Sequence, residues 1–132
     1  MALNLPDMQG SRSGENSSQQ TFITYIFRNR AGQVVYVGRA SGYGTPAQVL
    51  LQRLAKGHHV FDSNPGLRAE VLAYQGNRDA NLGAEDVWYA YYRRAAMPLL
   101  NDPQTPPLSS RPDRLEATRR RMQAYADDLE EP

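Results

Sequence analysis

Ile23-Thr24-Tyr25-Ile26-Phe27-Arg28-Asn29-Arg30-Ala31-Gly32-Gln33-Val34-Val35-Tyr36-Val37-Gly38 is the stretch that decides how this chain folds. Two runs rich in β-branched and aromatic residues flank Asn29-Arg30-Ala31-Gly32, a turn whose glycine takes positive φ without steric cost. A four-residue loop closing with Arg28 opposite Gln33 predicts an antiparallel hairpin in which Tyr25 stands directly opposite Tyr36. The phenols would share one sheet face with Cβ atoms roughly 5 Å apart, near enough to address one phosphate or one water. A one-residue bulge at Gly32 would send Tyr36 to the other face, because side chains alternate along a strand.

Outward from the hairpin, which the pattern places over about Thr21 to Ala40, Ser41-Gly42-Tyr43-Gly44-Thr45-Pro46 reads as a flexible loop. Thr45 and Pro46 then form a paired helix start, N-cap followed by first helical residue. Val49, Leu50 and Leu54 recur at helical spacing up to Gly57. A polar connection from His58 to Leu67 leads to Ala69-Glu70-Val71-Leu72-Ala73-Tyr74, a third strand with a helical alternative. A second helix is expected from Asn81 or Leu82 to Ala96, stopping before Pro98. Asp102 to Pro112, with four prolines, reads as an irregular strap, and a last helix is expected from Pro112 or Asp113 to about Asp128. This order predicts an α/β fold: a small three-stranded sheet with an antiparallel N-terminal hairpin, flanked by helices, plus a C-terminal helix. Residues 1–20, rich in Ser, Gln and Asn, read as a flexible lead-in, 21–111 as the main domain, and 112–132 as a helix packing on it or extending it.

Composition narrows the chemistry. The 132 residues contain no cysteine, which excludes disulfides, thiolate metal sites and a cysteine nucleophile. No run of about 18 apolar residues exists to span a membrane, and the first twenty residues lack the features of a secretory signal peptide. Between Thr21 and Arg111, ten Arg or Lys stand against six Asp or Glu, a net of +4. Such a body suits a polyanionic partner, although ordinary soluble domains often carry a similar imbalance.

Four further positions join the tyrosines: Arg53 on the first helix, His58 just beyond its end, Glu85 near the start of the second, and Pro98-Leu99-Leu100-Asn101 after it. With these residues the chain resembles the GIY-YIG nuclease superfamily over about eighty residues, Thr21 to Asn101. Tyr36-Val37-Gly38 matches the second motif of that family, whereas Ile23 and Thr24 replace the usual Gly and Ile before Tyr25. Arg53 also follows Tyr36 at a longer interval than in compact members. The resemblance implies a divalent-metal-dependent DNA endonuclease of low sequence specificity using Mg2+ or Mn2+. It gives Glu85 as metal ligand, Arg53 as phosphate binder, Tyr25 as general base, Tyr36 in support and His58 as an aid to proton transfer, while Arg39, Lys56, His59 and Asn101 would bind substrate or hold the site.

Those roles agree with what phosphodiester hydrolysis requires: an activated water, charge neutralisation at the phosphate, and help for the leaving oxygen. A single carboxylate suits a hard ion that keeps its waters, and an arginine fork suits phosphate. Plainer readings stand beside these. Strand tyrosines usually pack; Glu85 and Asp86 complement a helix dipole, and Asp86 points about 100° away from Glu85. Trp88, Tyr89, Tyr91 and Tyr92 read as core and partly exposed packing before they read as a base-stacking stripe, and Arg119-Arg120-Arg121 as a solvated face before DNA contact.

Gly57-His58-His59 also resembles the toxin branch of the His-Asn-His nucleases, although no third histidine exists to complete such a site. Within the GIY-YIG superfamily, the stretches Val37 to Pro46 and Gly57 to Gly66 look most like nuclease domains of bacterial polymorphic toxins. That likeness implies an effector delivered by a larger protein or secretion system, acting in the target-cell cytoplasm and neutralised by a cognate immunity protein. A repair or mobile-element nuclease, a non-catalytic nucleic-acid-binding module and a pure interaction domain remain as other readings.

Overall fold

The computed structural model describes residues 19–101 and 115–131. Strands β1 (Gln20–Arg28), β2 (Val34–Tyr43) and β3 (Arg68–Gln75) form one antiparallel sheet in the order β2-β1-β3. Helices α1 (Pro46–Ala55) and α2 (His59–Ser63) lie between β2 and β3, and α3 (Arg78–Arg94) and α4 (Leu115–Glu130) follow. The fold is therefore α/β with a three-stranded sheet, an N-terminal hairpin and a C-terminal helix. Of the expected lead-in over residues 1–20, residues 1–18 lie outside the described residues and Gln20 begins β1; the proline-rich strap from Asp102 to Pro112 also lies outside them. No described helix is long and apolar enough to cross a membrane.

Alternation along the central strand sorts the core into two layers. Ile23, Tyr25 and Phe27 pack with Val35, Val71, Val49 and Leu50, and against Val60 and Phe61 of α2. Ile26 faces the other way, joining Val34, Val37 and Tyr89 with Leu72, Trp88, Met97 and Leu99 around them. Helices thus cover both faces, and Ile23, Ile26, Phe27 and Val37 are each 0 % exposed. Full burial of such a side chain contributes about 1.5–3 kcal/mol relative to exposure.

The hairpin closes differently from the sequence expectation. Asn29 and Gly32 form the turn, with Gly32 at φ +84°, but Asn29 N–H donates to the Gln33 carbonyl at 3.0 Å, so Arg28 pairs with Val34. That moves the register by one residue. A bulge then leaves Val35 unpaired, moving it by another, so Phe27 faces Tyr36 and Tyr25 faces Gly38. One shift alone would have put Tyr36 on the far face; two restore it. The phenols are diagonal neighbours on the same face, not direct partners.

Several boundaries also differ. Ser41, Gly42 and Tyr43, expected in a loop, continue β2 against Phe22, Thr21 and Gln20, and the Thr21 hydroxyl donates to the Gly44 carbonyl at 2.6 Å. The polar connection contains the short helix α2. Helix α3 starts at Arg78 because Asn77 caps it, its Oδ1 accepting from Ala80 N–H at 2.8 Å. The Thr45–Pro46 start holds as a full capping box with Gln48. At its far end α3 stops at Arg94, two residues short of the expected Ala96, which turns the chain at φ +60° to run back along β2, where Leu100 N–H donates to the Val35 carbonyl.

Candidate active site

The site begins at Gly38. A Cβ there would lie 2.6 Å from Tyr25 Cζ, 2.7 Å from its hydroxyl and 2.8 Å from Tyr36 Cε2. The missing side chain is therefore what lets both phenols converge over β2. Their rings stack with centroids 6.1 Å apart. Tyr25 is only 1 % exposed, whereas Tyr36 is half-buried and forms the outer member of the pair. Burial raises both phenols above their ordinary pKa, helped by the Tyr36 charge for Tyr25 and by the Glu85 charge for both; Arg53 opposes the rise in each. The Tyr25 hydroxyl favours the ionised form of Tyr36.

Arg53 and His58 arrive together because α1 ends in a left-handed turn at Gly57, φ +91°. Arg53 Nη1 donates to the Gly57 carbonyl at 2.9 Å, fixing the turn. His58, 3 % exposed, directs Nε2 to within 2.9 Å of the Tyr25 hydroxyl, its ring edge-on to Tyr25, Phe27 and Tyr36. Its Nδ1 is buried without a hydrogen-bond partner, and its own carbonyl already accepts from Asp62 N–H. A proton on Nδ1 would strand a buried donor, so this environment favours Nε2–H, with His58 donating to the Tyr25 oxygen. Burial, then the Arg53 charge, lowers the His58 pKa and keeps the ring neutral.

Glu85 approaches from α3. Its carboxylate lies 3.4 Å from Arg39 Nε, and its side chain is 31 % exposed. Burial pushes its pKa above the usual range; Asp86 adds to that, while Arg39 and Arg121 pull it down. Asp86 is 1 % exposed and meets Arg121 Nη1 of α4 at 3.3 Å.

No protein-family model, curated protein or solved structure matches this chain. The GIY-YIG resemblance therefore rests on the residues themselves. Among the described residues no three His, Asp or Glu side chains converge as a ready-made metal cage. Glu85, a partly exposed lone carboxylate, has the donor chemistry for a hard divalent ion that retains most of its waters.

Asn101 holds the frame instead of facing the cluster. Its amide donates to the Val37 carbonyl at 2.8 Å and accepts from Val37 N–H at 3.2 Å, pinning the edge of β2 between Tyr36 and Gly38. Lys56 and His59 are exposed beside the cluster, free to meet a ligand from solvent but not joined to it by any bond described above. In the aromatic stripe, Tyr89 is core, Trp88 N–H donates to the Tyr125 hydroxyl at 3.1 Å, and Tyr91 is the exposed member.

Two contributors escaped the sequence reading. Gly38 was noticed only as part of a triplet, although a glycine opposite a strand tyrosine signals close approach. Arg121 was hidden in a run of three arginines whose facing depends on how α4 docks.

Proposed function

We propose that this chain is a GIY-YIG-type endonuclease, dependent on Mg2+ or Mn2+, that hydrolyses DNA phosphodiester bonds with little sequence preference. The observation that carries the reading is the cluster of Tyr25, Tyr36, Arg53 and His58, with Glu85 near enough for its charge to act on both phenols. A packing cluster needs the rings but has no use for a histidine bonded to one hydroxyl with the charges of an arginine and a carboxylate acting on both.

In this reading Glu85 holds the ion, which when bound supplies Lewis-acid polarisation of the phosphate. Arg53 binds and stabilises the phosphate through its fork of donors. Exposure supports Tyr36 as the phenol that meets the attacking water; Tyr25 lies behind it, orienting it and receiving the His58 hydrogen bond. The expected roles of base and support are therefore exchanged. Burial holds Tyr36 above its ordinary pKa even with Arg53 beside it, so the bound ion would have to supply the lowering that lets this phenol act as a base at neutral pH.

Action as a delivered antibacterial effector with a cognate immunity protein rests on the toxin-domain likeness of Val37 to Pro46 and Gly57 to Gly66. The His-Asn-His alternative has less support, because His58 is turned into the aromatic cluster while His59 faces solvent.

Plasmid cleavage in Mg2+ tests the proposal with the parent, Glu85→Ala, Tyr36→Phe and Arg53→Ala. Cleavage by the parent and its loss in all three variants is expected. Undiminished cleavage by Glu85→Ala would remove the metal assignment. Salt-sensitive DNA binding without turnover would make the chain a binding module, and cleavage of RNA alone would change the substrate class.

A further inference from the structure

The arginine run on α4 is not uniform. Arg119 and Arg120 are exposed, whereas Arg121 turns inward to α3, its side chain 28 % exposed. The docking is tight: a Cβ on Gly83 would overlap the Arg121 carbonyl, and the Trp88–Tyr125 hydrogen bond holds the next turns together. Arg121 Nη1 lies 3.3 Å from Asp86 Oδ2, one residue from Glu85, and Arg39 flanks Glu85 from β2. On α3, Glu85 thus meets an arginine of the hairpin, and its neighbour Asp86 meets an arginine of the terminal helix.

A carboxylate buried like Asp86 needs a counter-charge, and that alone could explain Arg121. Yet a guanidinium carries five N–H donors in a planar fork and bridges carboxylate and phosphate readily. The Arg121 side chain is also partly open to solvent, and its charge is felt at Glu85. A nucleic-acid backbone brought to Glu85 would pass within reach of it.

We propose that Arg121 binds a backbone phosphate beside the one cleaved, so that the C-terminal helix forms part of the DNA-binding surface. This rests on the nuclease reading above. The helix then supplies a substrate contact from outside the hairpin-and-helix unit that carries the other residues.

The test is binding of a short fluorescein-labelled DNA duplex, followed by anisotropy across a salt series, with Ca2+ replacing Mg2+ and gels confirming an intact probe. Arg121→Gln should reduce the salt slope by about 0.9, the loss of one phosphate contact, and Arg121→Lys should retain it. Because Arg121→Gln removes a counter-charge from buried Asp86 and can unfold the chain, the double variant Asp86→Asn/Arg121→Gln carries the decision. Folded and still short of one contact, it supports the proposal. Recovery of the parent slope would mean that Arg121 serves only Asp86, overturning it. An equal loss in Arg119→Gln or Arg120→Gln would also overturn it, pointing to a diffuse basic face. A parent that binds and cleaves DNA while the double variant matches it defeats only this inference, whereas a parent that does not bind DNA defeats the nuclease reading as well.

Discussion

Gly38 lies directly opposite Tyr25 in the hairpin, and the space a Cβ would fill there is occupied by the Tyr25 hydroxyl, 2.7 Å away. Tyr36, two residues earlier on the same strand and on the same face, comes within 2.8 Å. The pairing of the two phenols is therefore a property of one missing side chain.

Gly38→Ala should destabilise the fold by about 1–3 kcal/mol through overpacking and separate the phenols. Thermal unfolding checks the first effect and plasmid cleavage at a temperature where the variant remains folded checks the second. A variant with parental stability and rate would show that the rings do not need this space.

His58→Gln places an amide N–H near the position of Nε2–H and is expected to keep most of the cleavage rate, whereas His58→Ala should lose at least tenfold. Equal loss in both variants would identify His58 as a proton acceptor. In the full chain, the nitrogen chemical shifts of the ring report directly whether the proton sits on Nε2.

The same histidine gives a signed pH dependence. Its folded pKa is lowered from 6.5, so below that value the unfolded chain binds a proton that the folded chain resists. Stability should fall as pH drops from 6.5 toward the folded pKa and level off beneath it. Urea unfolding across this range should show the slope, and His58→Gln should flatten it.

Asn101→Ala removes two hydrogen bonds to Val37 and should cost about 1–3 kcal/mol, taking 0.5–1.5 for each. Hydrogen exchange should rise first at the Val37 amide. Protection unchanged at Val37 would show that the edge of β2 is held by other means.

Gly83→Ala tests the seat of α4. The added methyl would meet backbone, which cannot swing aside as a flexible side chain does, so a loss of about 1–3 kcal/mol is expected. Limited proteolysis should then release α4 before the sheet opens. Simultaneous loss of both would mean that the helix and sheet unfold as one unit.

Much of the fold was legible in the chain. Alternation in β1, the Asn29 to Gly32 turn and the Thr45–Pro46 cap are local signals, each set by a few consecutive residues. Hidden were the bulge at Val35 and the extension of β2 to Tyr43, because strand pairing depends on what lies opposite. Helix α2 was hidden for a related reason: five residues are too few to carry a helical period, and Val60 and Phe61 are drawn in by the Tyr25 face of the sheet.

For the candidate site, the sequence by itself determined the residue types: one phenol on each strand of the hairpin, an arginine in the last turn of α1, a histidine after Gly57 and a carboxylate on α3. Tertiary structure alone decided which phenol faces solvent, that His58 meets Tyr25, that Asn101 clamps Val37 and that Arg121 turns inward.

 The separations that matter are 33 positions for His58 and Tyr25, 35 for Arg121 and Asp86, and 64 for Asn101 and Val37. Local pattern fixes which way a side chain points from its own strand or helix, but contacts across such distances depend on how the elements pack, and packing is decided by the whole core at once.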